Sequence, residues 1–201
     1  MSDLVNQECC GGKASDLVCV VKAWQQQEYE VIQKIVEILT ERLPSYDVFL
    51  SFIGKDTRYS FTGFLHNALD KEGFKTFMND EGLKDGDQIT PSIIKAIEGS
   101  KFLIIVLSEN YAYSSLSLDQ LVRILDSRKK KNQLVWPIFY QVEPTVVRHQ
   151  KSSYCKAMKA HEYRLGEGSK KVEEWRSALK QVANLKGRFL KTSWDVVLYF
   201  G

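Results

Sequence analysis

A chain of 201 residues holds one domain of ordinary size plus extensions, or at most two small ones. Hydrophobic content of 44% against 26% charged residues excludes a disordered chain. A net charge of +3 is too small for a protein that relies on its own field to capture nucleic acid.

Residues 1–27 are polar, contain Gly11 and Gly12 and lack a sustained period, so they read as a poorly ordered lead. A phosphate loop at Gly12-Lys13 fails, because Gln7 stands where its first glycine belongs and Ala14 where a hydroxyl residue belongs. The apolar run at 17–21 is too short for a signal-peptide core, and Asp3 and Glu8 precede it where basic residues belong. Nothing approaches the roughly 18 apolar residues of a membrane span, so a cytoplasmic location is expected. Cys9, Cys10, Cys19 and Cys155 form no CxxC pair and have no histidine at ligand spacing. They predict reduced thiols rather than disulfides or a metal site.

Residues 28–43 place Ile32, Ile35, Val36, Leu39 and Leu43 at helical spacing, with Glu28, Glu30 and Glu37 among the polar positions and Pro44 as the stop. This amphipathic helix must bury its stripe on the following domain or on a partner. From Tyr46 the pattern becomes an alternation of short apolar runs and helical periods. Strands are expected at 46–52, 74–78, 101–108 and 134–140, and helices at 60–72, 91–98, 116–130, 153–164 and 170–186. Thr90 is the predicted N-cap before Pro91. The unbroken apolar run at 101–108 suggests a strand covered on both faces, and Pro137 an edge or irregularity in the fourth strand. A fifth strand comes from 188–200 or from a short segment near 164–169. The expected fold is α/β: a flavodoxin-like three-layer sandwich with a parallel sheet in order 2-1-3-4-5, preceded by the amphipathic helix. Ligands of such sheets sit beyond the carboxyl ends of the strands, here 53–59, 79–88, 108–117 and 141–152.

Those loops carry phrases of one family. YDVFLSFIGKDTR at 46–58 resembles YDVFLSFRGEDTR, the opening strand and loop of plant TIR (Toll/interleukin-1 receptor) domains. FMNDEGLKDGDQI at 77–89 is similar to that family's BB loop, the stretch 108–125 to its third-strand exit and following helix, and 137–150 to its DD region. The resemblance runs from about 45 to 190, which leaves 1–27 as lead, 28–43 as helix and 191–201 as tail. It implies a protein that associates with other TIR domains, in receptors with a nucleotide-binding module and leucine-rich repeats, and that cleaves NAD⁺ as substrate with no cofactor. The helix at 28–43 looks like the segment that normally follows a TIR domain, or is an unrelated amphipathic helix.

The family's catalytic Glu lies in the phrase WCLDEL, aligned here with Leu116-Ser117-Leu118-Asp119-Gln120-Leu121. Gln120 keeps the length but supplies no negative charge to an oxocarbenium-like ribose. Asp119 should not replace it, since adjacent helical residues point about 100° apart. The rest of the implied nucleotide site is Ile53, Gly54, Lys55, Asp56, Arg58, Phe77, Gly86, Leu116 and Ser117. Within it, Ile53 and Lys55 replace the usual Arg and Glu, and Leu116-Ser117 the usual Trp-Cys. Asp56 and Arg58 serve either a ligand or a local salt bridge that pins the loop. The expectation is a signalling module with impaired NAD⁺ cleavage; an active glycohydrolase is the alternative.

The family's Ser-His pair on its first helix becomes Gly63-Phe64, with Phe64 assigned to the core and an exposed contact as the alternative. Of its SGW-like phrase only Gly187 remains. The basic run Arg128 to Lys131 suits a helix C-terminus, a nuclear-import signal being the other reading. The apolar tail 193–200 is a packed strand or an aggregation-prone stub. A flavin binder or phospho-acceptor receiver is disfavoured, because the third strand ends in Leu107-Ser108 rather than an acid.

Overall fold

The structure, a computed structural model, describes Gln26 and residues 28–35, 48–78 and 89–191. The expectations for the remaining lead, for 36–43, for the loop 79–88 and for the apolar tail lie outside these residues.

Residues 28–35 form helix α1. Strand β1 (Val48–Ser51) leads into the short helix α2 (Gly54–Thr57) and then α3 (Phe61–Lys71) and β2 (Thr76–Met78). Next come α4 (Pro91–Gly99), β3 (Phe102–Leu107), a 3₁₀ turn (Tyr111–Tyr113), α5 (Ser115–Lys131) and β4 (Leu134–Tyr140). The chain continues through α6 (Pro144–Arg148), α7 (Ser152–Leu165) and α8 (Lys170–Val182) to β5 (Arg188–Leu190). Every strand pairing is parallel and the sheet order is β2-β1-β3-β4-β5, the flavodoxin-like order expected. Thr90 caps α4 by accepting from the Ile93 backbone N–H at 3.4 Å.

The differences have physical causes. The short helices α2 and α6 occupy stretches read as irregular; one turn of helix is too short to show an apolar period. The helix expected to reach residue 186 stops at Val182, and the fifth strand lies at Arg188–Leu190 rather than near 164–169. Pro137 pairs with Ile105 on β3, whereas β5 joins β4 only from Ile138 onward. Among the described residues, this half of β4 is therefore paired as a strand on one side only, where a sheet tolerates proline. Phe64 is 58% exposed, which overturns its assignment to the core. The buried side of α3 is instead Phe61, Thr62, Leu65 and Leu69. At the neighbouring Gly63 a Cβ would collide with the Arg58 carbonyl oxygen, so the turn between α2 and α3 leaves no room for a side chain there.

The core has two halves, one on each face of the sheet. On the first face α4 to α8 bury Ile97, Leu118, Leu121, Ile124, Met158, Trp175 and Leu179 against Phe49, Leu103, Ile105 and Phe139. The second face presents Val48, Leu50, Phe102, Ile104, Val106 and Ile138. Five strands spaced about 4.8 Å apart span about 19 Å, roughly twice the width of one helix. One helix cannot cover that face. Helix α3 covers part of it, and α1 adds Val31, Ile32 and Ile35, at 4%, 7% and 0% exposure. Fully burying such side chains contributes about 1.5–3 kcal/mol each, so Ile32 and Ile35 of the predicted stripe are spent on the domain itself.

The entry to β5 is equally constrained. A Cβ on Gly187 would meet the Pro137 carbonyl oxygen and lie 2.8 Å from the Pro137 ring. Gly187→Ala is expected to lower stability by about 1–3 kcal/mol, as overpacking does, measurable as a lower urea midpoint with an unchanged m-value.

Candidate functional site

The carboxyl ends of β1 and β3 open onto α2, the 3₁₀ turn and the start of α5. Ser114 begins α5 by accepting from the Ser117 backbone N–H at 3.2 Å. This cap fixes the first turns of the helix and places Gln120 under the end of β1.

Gln120 is 4% exposed. Its Oε1 accepts from the Ser51 hydroxyl at 3.0 Å, Ser51 Oγ lies 2.8 Å from the Tyr111 hydroxyl, and Tyr111 donates to the Ser117 carbonyl at 3.0 Å. Two hydroxyl protons cannot fill all three contacts at once. Ser51 donates to Gln120 Oε1 and Tyr111 to the Ser117 carbonyl, and the two hydroxyls share the contact between them. Burial pushes the Tyr111 phenol well above its ordinary pKa, so it remains a neutral donor. Tyr154 is raised for the same reason and donates to the Ser108 carbonyl at 2.8 Å.

Asp119 points away from this network, as the helical rotation predicts. Its two oxygens accept from Trp175 Nε1 at 2.8 Å and Lys171 Nζ at 2.9 Å, tying α5 to α8. Asp56 is also engaged. It accepts from the Ser108 hydroxyl at 2.5 Å, the Asn110 backbone N–H at 3.2 Å and Asn110 Nδ2 at 3.1 Å. The carboxylate thus fastens α2 to the exit of β3, while the Arg58 guanidinium sits 6.0 Å from the Tyr59 ring centre. Among the described residues, no carboxylate is hydrogen-bonded to Ser51, Tyr111 or Gln120.

The other predicted site residues divide by exposure. Lys55 is exposed, and Ile53, Gly54 and Arg58 are half-buried around α2, Ile53 packing against the first core. Phe77 stacks on Phe49 with ring centres 5.5 Å apart and planes 10° from parallel. Leu116 is a core residue, and Ser117 spends its N–H on Ser114 and its carbonyl on Tyr111. Gly86 lies outside the described residues. Ser51 and Tyr111 were not singled out from sequence. The available signal was a lone serine closing the apolar run of β1. A cavity of about 360 Å³ opens beyond β4 and β5, lined by Glu109, Gln141, Glu143 and Lys191 among others; none of the predicted site residues borders it.

The family model for the TIR domain matches residues 45–197, more than half of the chain. The chain belongs to the TIR domain family. It is 48% identical over 143 residues to TMV resistance protein N of Nicotiana glutinosa, covering 71% of this chain and 12% of that protein. It is 46% identical over 146 residues to disease resistance protein RPV1 of Vitis rotundifolia, covering 73% of this chain and 10% of the relative. The chain therefore spans only about a tenth of the length of these curated relatives. Among solved structures it resembles the TIR domains of the activated Roq1 resistosome directly recognizing the pathogen effector XopQ. That match has a TM-score of 0.66 and 44% identity, and covers 75% of this chain and 91% of that one. This TIR domain is thus of the kind found in plant immune receptors.

The relay through Ser51 makes a prediction of its own. Ser51→Ala removes its central hydroxyl and leaves Gln120 and Tyr111 facing an apolar gap. A loss of about 1–3 kcal/mol is expected, read from urea unfolding, with Ser51→Thr retaining more of the stability than Ser51→Ala.

Proposed function

We propose that this chain is a TIR signalling module of plant innate immunity that acts by association, with NAD⁺ cleavage impaired at position 120. Breaking the nicotinamide–ribose bond develops positive charge on the ribose, which a fixed anion stabilises and a neutral amide does not. One observation supports the impairment above the others: Gln120 is buried and hydrogen-bonded inward to Ser51. The two nearby acids, Asp119 and Asp56, are already committed to α8 and to the β3 exit.

NAD⁺ is the substrate that the active form of such a site would take, with Lys55 and Arg58 at the rim as candidate phosphate contacts and no cofactor required. The partners proposed are other TIR domains and receptors that carry them. The surface of α3 supports a contact different from a Ser-His pair, since Gly63 has no room for a serine side chain and Phe64 stands exposed. The cytoplasm is the proposed compartment; among the described residues no helix is long and apolar enough to cross a membrane.

Nicotinamide release from NAD⁺ by the purified natural chain tests the reading. The expected rate is about 10²–10³-fold below that of the Gln120→Glu variant, the usual effect of losing one preorganised electrostatic contact. Robust turnover by the natural chain that disappears in Gln120→Ala would establish an active glycohydrolase instead.

A further inference from the structure

Helix α1 carries an acid on its apolar stripe. Glu28 lies one turn before Val31 and Ile32, and it is 5% exposed, although the sequence pattern had grouped it with the polar positions. Its Oε1 is buried without a hydrogen-bond partner. The titratable group that faces it is Tyr140 at the end of β4, whose hydroxyl is also shared with Ser60 and Gln141. Among the described residues, no cation is among the groups that set its ionisation. A carboxylate in such surroundings gains little and loses its hydration, whereas a protonated carboxyl fits them.

The same helix is also a separable part of the domain. It contributes Val31, Ile32 and Ile35 to the second core, reaches the sheet from ahead of β1, and belongs to no strand-to-strand crossover. Its undocking would break no sheet ladder. It would uncover the part of the second face that α3 cannot reach.

We propose that α1 is a proton-linked cover of the sheet, docked while Glu28 is protonated and released as a unit when Glu28 gives up its proton. The inference is independent of position 120. Burial pushes the Glu28 carboxyl up from 4.5 to about 7, with the Tyr140 hydrogen bond drawing it partway back. The raised value belongs to the docked state, so docking is strongest below about pH 4.5, where both states hold the proton. It weakens as pH rises from about 4.5 and levels off above about 7, about 300-fold lower, where neither state does. The steep part therefore lies between about pH 4.5 and 7, and neutral pH falls at its foot.

Hydrogen exchange of the 31–35 amides in the full chain, corrected for the intrinsic pH dependence of exchange, reads the docking constant. Protection relative to α5 is expected to fall about two-hundredfold between pH 4 and pH 8, and Glu28→Gln should hold it high and flat. Protection in the natural chain that does not change with pH, or a Glu28→Gln chain with the natural slope, overturns the proposal. Should Glu28→Gln fail to fold, carboxyl-carbon NMR of the natural chain decides. A Glu28 midpoint raised toward 7, with α1 protection already falling below that pH, supports the switch; a midpoint in the ordinary carboxylate range overturns it.

Discussion

A parallel sheet has no solvent-facing side, and this requirement organises the molecule. Because every pairing is parallel, each crossover must leave and return on a face, and both faces must be sealed with apolar side chains. Helices α4 to α8 seal one face. The other face has α3 and the upstream helix α1, so a segment outside the matched domain boundaries completes the core. The same geometry gathers the carboxyl ends of β1 and β3 at one rim. Ser51, the last residue of β1, turns from the sealed interior toward α5 there and meets Gln120 and Tyr111.

The amide oxygen of Gln120, the hydroxyls of Ser51 and Tyr111 and the carbonyl of Ser117 form a connected run of polar contacts inside the core. A carboxylate in the same place could accept from Ser51 in the same way, but it would hold a charge in a buried setting.

Much of the fold is legible in the sequence for direct reasons. Strand β3 is read from an unbroken run of Phe102 to Leu107, and burial on both faces is what such a run requires. Helix α5 is read from Leu118, Leu121 and Leu125. Elements of one turn, α2 and α6, have no period to read, and β5 is only Arg188–Leu190. The site is less legible. Position 120 stands out only against the family phrase. The burial of Glu28 and the exposure of Phe64 depend on which side of a helix meets the sheet, and hydrophobicity alone assigns both to the opposite environment. The role of Asp56 hinges on Ser108 and Asn110, more than fifty residues away, a pairing that only the parallel order of β1 and β3 creates.

The brace formed by Asp119 with Trp175 and Lys171 has a consequence for how position 120 can vary. It anchors α5 from the side opposite Ser51, so the backbone beneath residue 120 keeps its place whichever side chain is present. An amide and an acid differ there by one heavy atom and almost no volume. The brace makes that exchange chiefly a change of electrostatic potential on a scaffold that stays where it is.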